Sequence, residues 1–271
     1  MTLSNNLNHK LEILKEILKD KSVIVAFSGG VDSSLLAYLA KKYAQKVLLL
    51  TEKSILYSEE EINEAIMFAQ EHSIQHEIIE ADPLSNESYV SNPINRCYIC
   101  KKEIFSKFQE IKETCNYDLI IEGSNIDDLG DYRPGLDALK ELNITSPYLE
   151  AKINKNEIRE LSKFFYLATE SKPSGACFAS RIPYNQVISK EKLEMVQKAE
   201  RFLKEQYGLK QLRVRVHEGS LARIEILEDE IARILNDNFT KIVSFFKELG
   251  FVYVTIDLEG FRSGSLNEVL T

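Results

Sequence analysis

The chain has 271 residues, of which 44% are hydrophobic, so it can bury one large core or a medium core beside a small one. Acidic side chains outnumber basic ones by 42 to 34, and this charge disfavours stable binding of a nucleic acid unless the fold builds a basic patch. The N-terminal stretch lacks the apolar core of a signal peptide and no run is long enough to span a membrane, so we expect a cytoplasmic protein without membrane contact.

Strands alternate with helices over the first two-thirds of the chain. β-branched and aliphatic runs predict strands at 22–27, 46–50, 76–82 and 117–124. Helical patterns follow the first strand and recur at 58–72 and 101–114. Strands that are apolar on both faces are typical of a parallel sheet covered by helices on both sides, with ligands at the carboxyl ends of the strands. The predicted fold class is therefore α/β.

The pattern changes beyond about residue 185. An amphipathic helix, a hairpin, a second helix and a last strand are predicted at 190–208, 211–227, 228–249 and 251–260. In the hairpin, Arg213 and Arg215 share one face while apolar side chains share the other. We therefore predict two domains, a larger α/β domain at 1–184 and a smaller α+β domain at 185–271.

The stretch AFSGGVDSSLLA directly follows the first predicted strand and opens a helix. Ser28, Gly29 and Gly30 let the backbone approach an anion closely, and the exposed N–H groups of the following helix favour phosphate. Ser33 and Ser34 add hydroxyl donors. The stretch lacks the lysine of a Walker loop and the spacing of a dinucleotide fingerprint. It predicts a pyrophosphate-binding loop.

An acidic loop, EGSNIDDLGDYRPG, follows the fourth predicted strand. Asp127, Asp128 and Asp131 are expected at the ligand-binding edge of the sheet, with Arg133 beside them. The alternative is an ordinary solvated loop, and the residues alone leave both interpretations open.

The four cysteines lie in a chain expected in a reducing compartment, which argues against structural disulfides. Cys97 and Cys100 form a CxxC pair that could bind a metal, take part in redox chemistry or be structural at the start of a helix. Cys177 lies in KPSGACFASRIPY, where small neighbours leave its side chain accessible. Arg181 and Lys172 could favour its thiolate, which makes Cys177 a candidate nucleophile.

The SGGVDSS loop resembles that of the PP-loop ATP pyrophosphatase superfamily, whose members adenylate a carbonyl or carboxyl oxygen and release pyrophosphate. Six motifs, in order, are similar to those of the LarE family: SGGVDSS, NRCYICKKEIF, EGSNIDDLGDYRPG, KPSGACFASRIPY, RVRVHEGSLARIEI and DLEGFRSGSLN. The similarity extends over residues 28–267. It implies an ATP-dependent sulfur transferase that makes the nickel-pincer nucleotide cofactor of lactate racemase. Such enzymes convert the carboxylates of pyridinium-3,5-biscarboxylic acid mononucleotide to thiocarboxylates.

The resemblance also implies roles for single residues. ATP and Mg²⁺ would be held by Ser28, Gly29, Gly30, Asp32, Ser33, Ser34, Ser54 and Asp128. The substrate would be bound by Ser180, Arg181, Arg213 and Arg215. In the smaller domain, Glu200 and Glu225 are candidate carboxylates for binding a metal or for a proton transfer. Cys177 would donate sulfur and become dehydroalanine, so that each chain acts once. Family members assemble as homo-oligomers, and we expect the smaller domain to serve substrate binding and oligomerisation.

Three alternatives stay open at this point. Some family members use an iron–sulfur cluster held by three cysteines, which here would bring Cys97 and Cys100 to Cys177; the isolation of Cys177 in its segment favours the sacrificial cysteine. A tRNA thiolase should carry a basic RNA-binding face, and an amide-forming ligase should carry a glutaminase, neither of which is visible. A nucleotide-binding protein without chemistry would be expected to lose Asp32 or the loop serines, which are intact.

Overall fold

The chain folds into two units, which are described separately. The computed structural model describes residues 3–130, 133–173, 175–236, 239–262 and 264–270. The first unit comprises Met1–Ala81 and Asn95–Gly175, and the second comprises Asp82–Ile94 and Ala176–Thr271. The predicted division into functional domains at 1–184 and 185–271 stays a prediction.

The sheet of the first unit is parallel throughout its described strands. In chain order these are β1 (Ser22–Ala26), β2 (Lys46–Lys53), β3 (Gln75–Glu80) and β4 (Leu119–Ile121). They lie in the order β3-β2-β1-β4, with Val25 of β1 opposite Leu49 of β2 and Ile121 of β4. This arrangement brings the carboxyl ends of all four strands, and the loops that follow them, to one edge of the sheet.

Helices cover both faces of this sheet. The described helices of the first unit are α1 (Asn5–Leu18), α2 (Val31–Tyr43), α3 (Glu59–Glu71), α5 (Arg96–Thr114), α6 (Gly135–Glu141), α7 (Pro147–Glu150) and α8 (Lys155–Phe164). Those of the second unit are α4 (Glu87–Val90), α9 (Lys190–Tyr207), α10 (Glu228–Asn236) and α11 (Phe239–Glu248). Val23 and Val25 of β1 pack with α1, α2, α3 and α8 on one face. On the other face, Ile24 packs with Phe105 of α5 and Leu139 of α6. Both faces are apolar because both are covered, and the predicted α/β class is confirmed.

The second unit contains a three-stranded sheet of different topology. Its strands are β5 (Leu212–His217), β6 (Leu221–Ile226) and β7 (Tyr253–Ile256). β5 and β6 form the predicted antiparallel hairpin, with Arg215 opposite Arg223, and β6 pairs with β7 in parallel. α9 packs against β5, and its C-cap residue is Gly208, whose φ of 66° lies in the left-handed region that glycine adopts without strain.

The helix predicted at 228–249 is helical over its described residues, α10 and α11, with residues 237–238 outside the described part of the chain. The last predicted strand, by contrast, is shorter in the structure. The last strand ends at Ile256 because the Gly260 amide donates to the Asp257 carbonyl and closes a turn. Of the helices in the described ranges, none combines the length and the apolar composition needed to cross a bilayer.

Candidate active site

The loop between β1 and α2 has the geometry of an anion-binding loop. Gly29 has a φ of 67°, and a Cβ atom there would lie 3.3 Å from an alanine of α3, so the position favours glycine on two grounds. α2 begins at Val31, and its N-cap residue is Gly30, which has no side chain to accept hydrogen bonds from the first amides of the helix. The first amides of the helix are therefore left for a ligand. Within the loop, the Ser28 N–H donates to the Ser33 hydroxyl over 3.2 Å.

Two buried polar atoms beside this loop have no partner among the described residues. They are the Oδ1 atom of Asp32 and the hydroxyl of Ser34. A buried polar group left unpaired costs about 1–3 kcal/mol, which a bound ligand would recover. Carboxylate and hydroxyl oxygens suit Mg²⁺, and the hydroxyl also suits a phosphate oxygen. Both residues fit the roles predicted for them, which stay predictions.

Lys155 was not among the predicted site residues, yet its ammonium group pairs with the Oδ2 atom of Asp32. Its backbone N–H, in the first turn of α8, donates to Asp127 over 2.9 Å. On the core side, the Tyr148 hydroxyl donates to the Asp32 carbonyl oxygen over 2.9 Å. Burial raises the pKa of Tyr148, so its hydroxyl stays a donor. Lys155 adds a positive charge beside the loop, and its separation of 123 residues from Asp32 left no local signal in the sequence.

Ser54, one of the residues predicted to bind ATP, lies just past the carboxyl end of β2. Its hydroxyl donates to the Glu52 carboxylate over 2.9 Å and accepts from the Leu56 N–H over 3.3 Å. Burial raises the pKa of Glu52, and the Ser54 hydrogen bond offsets part of this effect. Glu52 and Ser54 lie at the edge of the sheet formed by the carboxyl ends of its strands. Contact between Ser54 and a nucleotide stays a prediction.

The acidic loop after β4 is held together by its own carboxylates. One oxygen of Asp128 accepts from the Asn125 N–H over 2.9 Å, and the other pairs with Arg133 over 2.8 Å. Asp127 N–H in turn donates to the Asn125 side chain over 3.0 Å. Asp131 lies outside the described residues. These contacts order the described part of the loop, and nucleotide binding by Asp128 stays a prediction.

In the second unit, Arg181 fixes the main chain around the half-buried Cys177. The Arg181 guanidinium donates to the carbonyl oxygens of Ala176 and Cys177 over 2.7 and 3.1 Å, and to the Ser180 hydroxyl over 2.8 Å. Its other edge makes two hydrogen bonds to the Glu200 carboxylate, at 2.8 and 3.0 Å. Arg181 therefore acts as a clamp on the cysteine segment, while its predicted effects on the thiolate and the substrate stay predictions.

The polar face of the β5–β6 hairpin adjoins this segment. Arg215 makes a two-bond fork with Glu225, at 3.0 and 2.7 Å, and donates to the Ser180 carbonyl oxygen over 2.6 Å. Burial, together with the nearby positive charges of Arg181 and Arg215, lowers the pKa of Arg213 to about 10. Arg213 is still protonated at neutral pH. The structure thus brings the four predicted substrate-binding residues into one cluster of the second unit.

The predicted metal ligands Glu200 and Glu225 are both bound to guanidinium groups in this structure, and their metal role stays a prediction. Over the described residues, no three His, Cys, Asp or Glu side chains are grouped as a metal site. Cys97 and Cys100 lie in the first turns of α5, where Cys97 is exposed.

Replacing Glu200 by alanine should lower the free energy of unfolding by about 3–5 kcal/mol, because the buried Arg181 charge loses its partner. Burial alone would raise the pKa of Glu200, but the Arg181 charge and hydrogen bonds bring it below its ordinary value. The stabilisation is therefore present above the ordinary glutamate pKa and lost as the pH falls through the lowered one. Urea unfolding across this pH range measures both effects.

A matched control lies on the same helix. Glu194 is partly exposed and pairs with Lys190 and Lys198 at 3.9 Å. Glu194→Ala should cost less than about 1 kcal/mol, because exposed ion pairs contribute little. Equal losses in the two variants would contradict the clamp described for Arg181.

The site has the features of an ATP-using enzyme of the PP-loop class. A glycine loop follows a strand of a parallel sheet, the first amides of the next helix are open, and polar atoms of Asp32 and Ser34 beside it are left unpaired by the described residues. In agreement, the model of the NAD synthase family matches residues 5–95. A tRNA-specific 2-thiouridylase of Rickettsia rickettsii is 25% identical, over 64% of this chain and 58% of its own.

Several relatives match almost the whole chain. An uncharacterized protein of Synechocystis sp. is 40% identical, over 98% of this chain and 99% of its own. The pyridinium-3,5-bisthiocarboxylic acid mononucleotide synthase of Lactiplantibacillus plantarum is 33% identical, over 97% of this chain and 95% of its own. The chain belongs to the LarE family of ATP-dependent sulfurtransferases, as its motifs predicted.

Proposed function

We propose that the protein converts the carboxylates of pyridinium-3,5-biscarboxylic acid mononucleotide to thiocarboxylates, with ATP as activator and Cys177 as the sacrificial sulfur donor. The observation that carries this proposal is the partly exposed Cys177 thiol on a main chain clamped by Arg181. The choice of substrate is supported by similarity to the Lactiplantibacillus plantarum synthase along nearly the full chain.

The first step activates the carboxylate. A carboxylate oxygen attacks the α-phosphorus of ATP, the bond to pyrophosphate breaks, and an acyl-adenylate forms. The loop amides and the Lys155 ammonium group would stabilise the charge on the departing pyrophosphate. Asp32 and Ser34 would hold Mg²⁺, which when bound neutralises phosphate charge.

The second step transfers sulfur. The Cys177 thiolate attacks the acyl carbon, a carbon–sulfur bond forms, and AMP leaves with the electrons of the carbon–oxygen bond. A base then removes the Cα proton of Cys177. The electrons of that C–H bond form the Cα=Cβ double bond, and those of the Cβ–S bond stay on sulfur. The products are a thiocarboxylate and dehydroalanine at residue 177, with no external oxidant or reductant.

The arginine cluster would bind the anionic substrate. Arg213 keeps its charge at neutral pH, since its pKa is about 10, and its guanidinium lies over the Phe261 ring at 5.1 Å. Most of the Arg215 N–H groups donate hydrogen bonds to Glu225 and Ser180, so we propose that Arg215 positions Ser180 as well as contacting the substrate. A guanidinium fork matches both phosphate and carboxylate.

The test is an assay of purified protein with ATP, Mg²⁺ and the biscarboxylate nucleotide, in which mass spectrometry follows the nucleotide and an enzymatic assay follows pyrophosphate. Thiocarboxylate should appear with ATP and be absent with an α,β-methylene analogue, which cannot release pyrophosphate. Pyrophosphate release that responds to tRNA and not to the nucleotide would contradict the proposal. The cytoplasmic location and the homo-oligomer stay predictions.

A further inference from the structure

One aromatic side chain, Phe261, lies in the turn that follows β7, within the motif DLEGFRSGSLN. The backbone of this turn is hydrogen-bonded at two points. The Gly260 N–H donates to the Asp257 carbonyl oxygen over 3.1 Å, and the Phe261 N–H donates to the Ile226 carbonyl oxygen, at the end of β6, over 2.7 Å. The main chain at Phe261 is therefore fixed to the end of the β5–β6 hairpin.

Gly260 determines the course of the chain into Phe261. Its φ of 68° lies in the left-handed region, and a Cβ atom there would lie 2.8 Å from the Ile226 carbonyl oxygen. Both the conformation and the available space therefore require glycine. On the other side of Phe261, the Arg262 guanidinium donates to the Gly260 carbonyl oxygen over 3.1 Å. These contacts hold the main chain before and after Phe261.

The Phe261 ring lies against the arginine cluster. The guanidinium carbon of Arg213 lies over the ring, 5.1 Å from its centroid. The face of an aromatic ring carries negative potential, which attracts a guanidinium group. Arg213 is itself surrounded by positive charge, since burial and the charges of Arg181 and Arg215 lower its pKa to about 10. Because Phe261 is partly exposed, its ring adds an accessible region of negative potential to a cluster of positive charges.

The substrate of the proposed reaction carries charges of both signs. Its carboxylates and phosphate are anions, which match guanidinium groups. Its pyridinium ring is a cation, which the arginines repel and an aromatic face attracts. A second phenylalanine, Phe178, also lies under a guanidinium group, 5.3 Å from that of Arg181, but Phe178 is only 6% exposed. Of these two rings, Phe261 is the more accessible to a ligand.

We infer that Phe261 is a specificity-determining residue whose aromatic face binds the pyridinium ring while the arginines bind the anionic groups, an inference that rests on the proposed function. The contact selects a positively charged ring over a neutral ring of the same shape. The arginines alone would favour the neutral ring, because they repel a cation and bind only the carboxylates and phosphate.

The experiment measures this preference by calorimetric titration of full-length protein with two ligands. Mg²⁺ and the α,β-methylene analogue of ATP are present, so that the nucleotide site is filled and no turnover occurs. One ligand is the biscarboxylate nucleotide, and the other is its analogue with a benzene ring in place of the pyridinium ring. The selectivity is the Kd of the benzene analogue divided by the Kd of the pyridinium nucleotide.

Phe261→Leu should lower this selectivity at least about fivefold, the scale on which one cation–π contact acts. Phe261→Tyr, which keeps an aromatic face, should stay within about twofold of the wild type. Phe239→Leu is the matched control, because Phe239 is exposed on α11 of the same unit, and it should leave the selectivity unchanged.

The selectivity separates recognition of the ring charge from a merely structural role. A general loss of packing weakens the binding of both ligands together and leaves the selectivity unchanged, and that result in Phe261→Leu would overturn the inference. Fluorinated phenylalanines at position 261 keep the shape of the ring and weaken the negative potential of its face, so they test the same contact should the leucine variant fail to fold. The selectivity should fall with each added fluorine, and a constant selectivity would equally refute the contact. A wild-type protein that binds neither ligand would instead contradict the proposed function.

Discussion

Replacing Cys177 by alanine should abolish thiocarboxylate formation, while pyrophosphate release continues. Alanine has no sulfur to give, and the variant leaves the nucleotide loop of the first unit unchanged. The Arg181 hydrogen bonds to the segment involve main-chain oxygens, so they survive the substitution. The expected loss of product is complete, and the same nucleotide assay with mass detection checks it.

Cys115→Ala is the matched control for this prediction, because Cys115 is an exposed cysteine at the end of α5. It should leave sulfur transfer unchanged. Retained transfer in Cys177→Ala would refute the sacrificial cysteine. Loss of transfer in Cys97→Ala and Cys100→Ala, together with repeated turnover by wild-type protein, would instead indicate an iron–sulfur cluster as the sulfur source.

Replacing Asp32 by asparagine should lower the rate of pyrophosphate release by at least about 100-fold, the scale on which loss of one electrostatic contact acts in a preorganised site. The amide keeps the shape of the side chain but lacks the charge that suits Mg²⁺ and that pairs with Lys155. Thiocarboxylate formation should fall in parallel, since no adenylate forms. Initial rates at saturating ATP measure the effect.

Asp137→Asn is the control for charge removal as such, because Asp137 is exposed on α6 in the same unit. Its rate should equal that of the wild type. An Asp32→Asn variant with a normal rate would remove the loop from its assigned role. A variant that binds ATP normally and still fails to release pyrophosphate would place the role of Asp32 in catalysis rather than in binding.

Local sequence patterns predicted most of the fold because the spacing of apolar residues reflects which faces of each helix or strand are buried. Ile24 and Val25 point to opposite faces of β1, and both are apolar because helices cover both faces. The fourth strand was predicted at 117–124 and is described over Leu119–Ile121. Beyond it, the Glu122 N–H donates to the Thr145 carbonyl oxygen, and the Glu122 carboxylate accepts from the Ser124 and Ser146 hydroxyls, so these residues form the loop after the strand.

The site was predictable where short motifs carry it and unpredictable where distant residues complete it. The SGGVDSS loop and Cys177 follow from local residue types. Lys155 reaches Asp32, and Lys172 reaches Gly29, across more than a hundred residues. The clamp on Cys177 was likewise invisible, because the Arg181 donors are divided between a carboxylate of α9 and nearby carbonyl oxygens only in the folded chain.

The most direct test of the central claim is the intact mass of anaerobically purified protein before and after reaction with ATP, Mg²⁺ and the biscarboxylate nucleotide, with peptide mapping of residues 172–184. The account predicts loss of the elements of hydrogen sulfide at Cys177, in proportion to the thiocarboxylate formed. An unchanged polypeptide that nevertheless forms thiocarboxylate would contradict it.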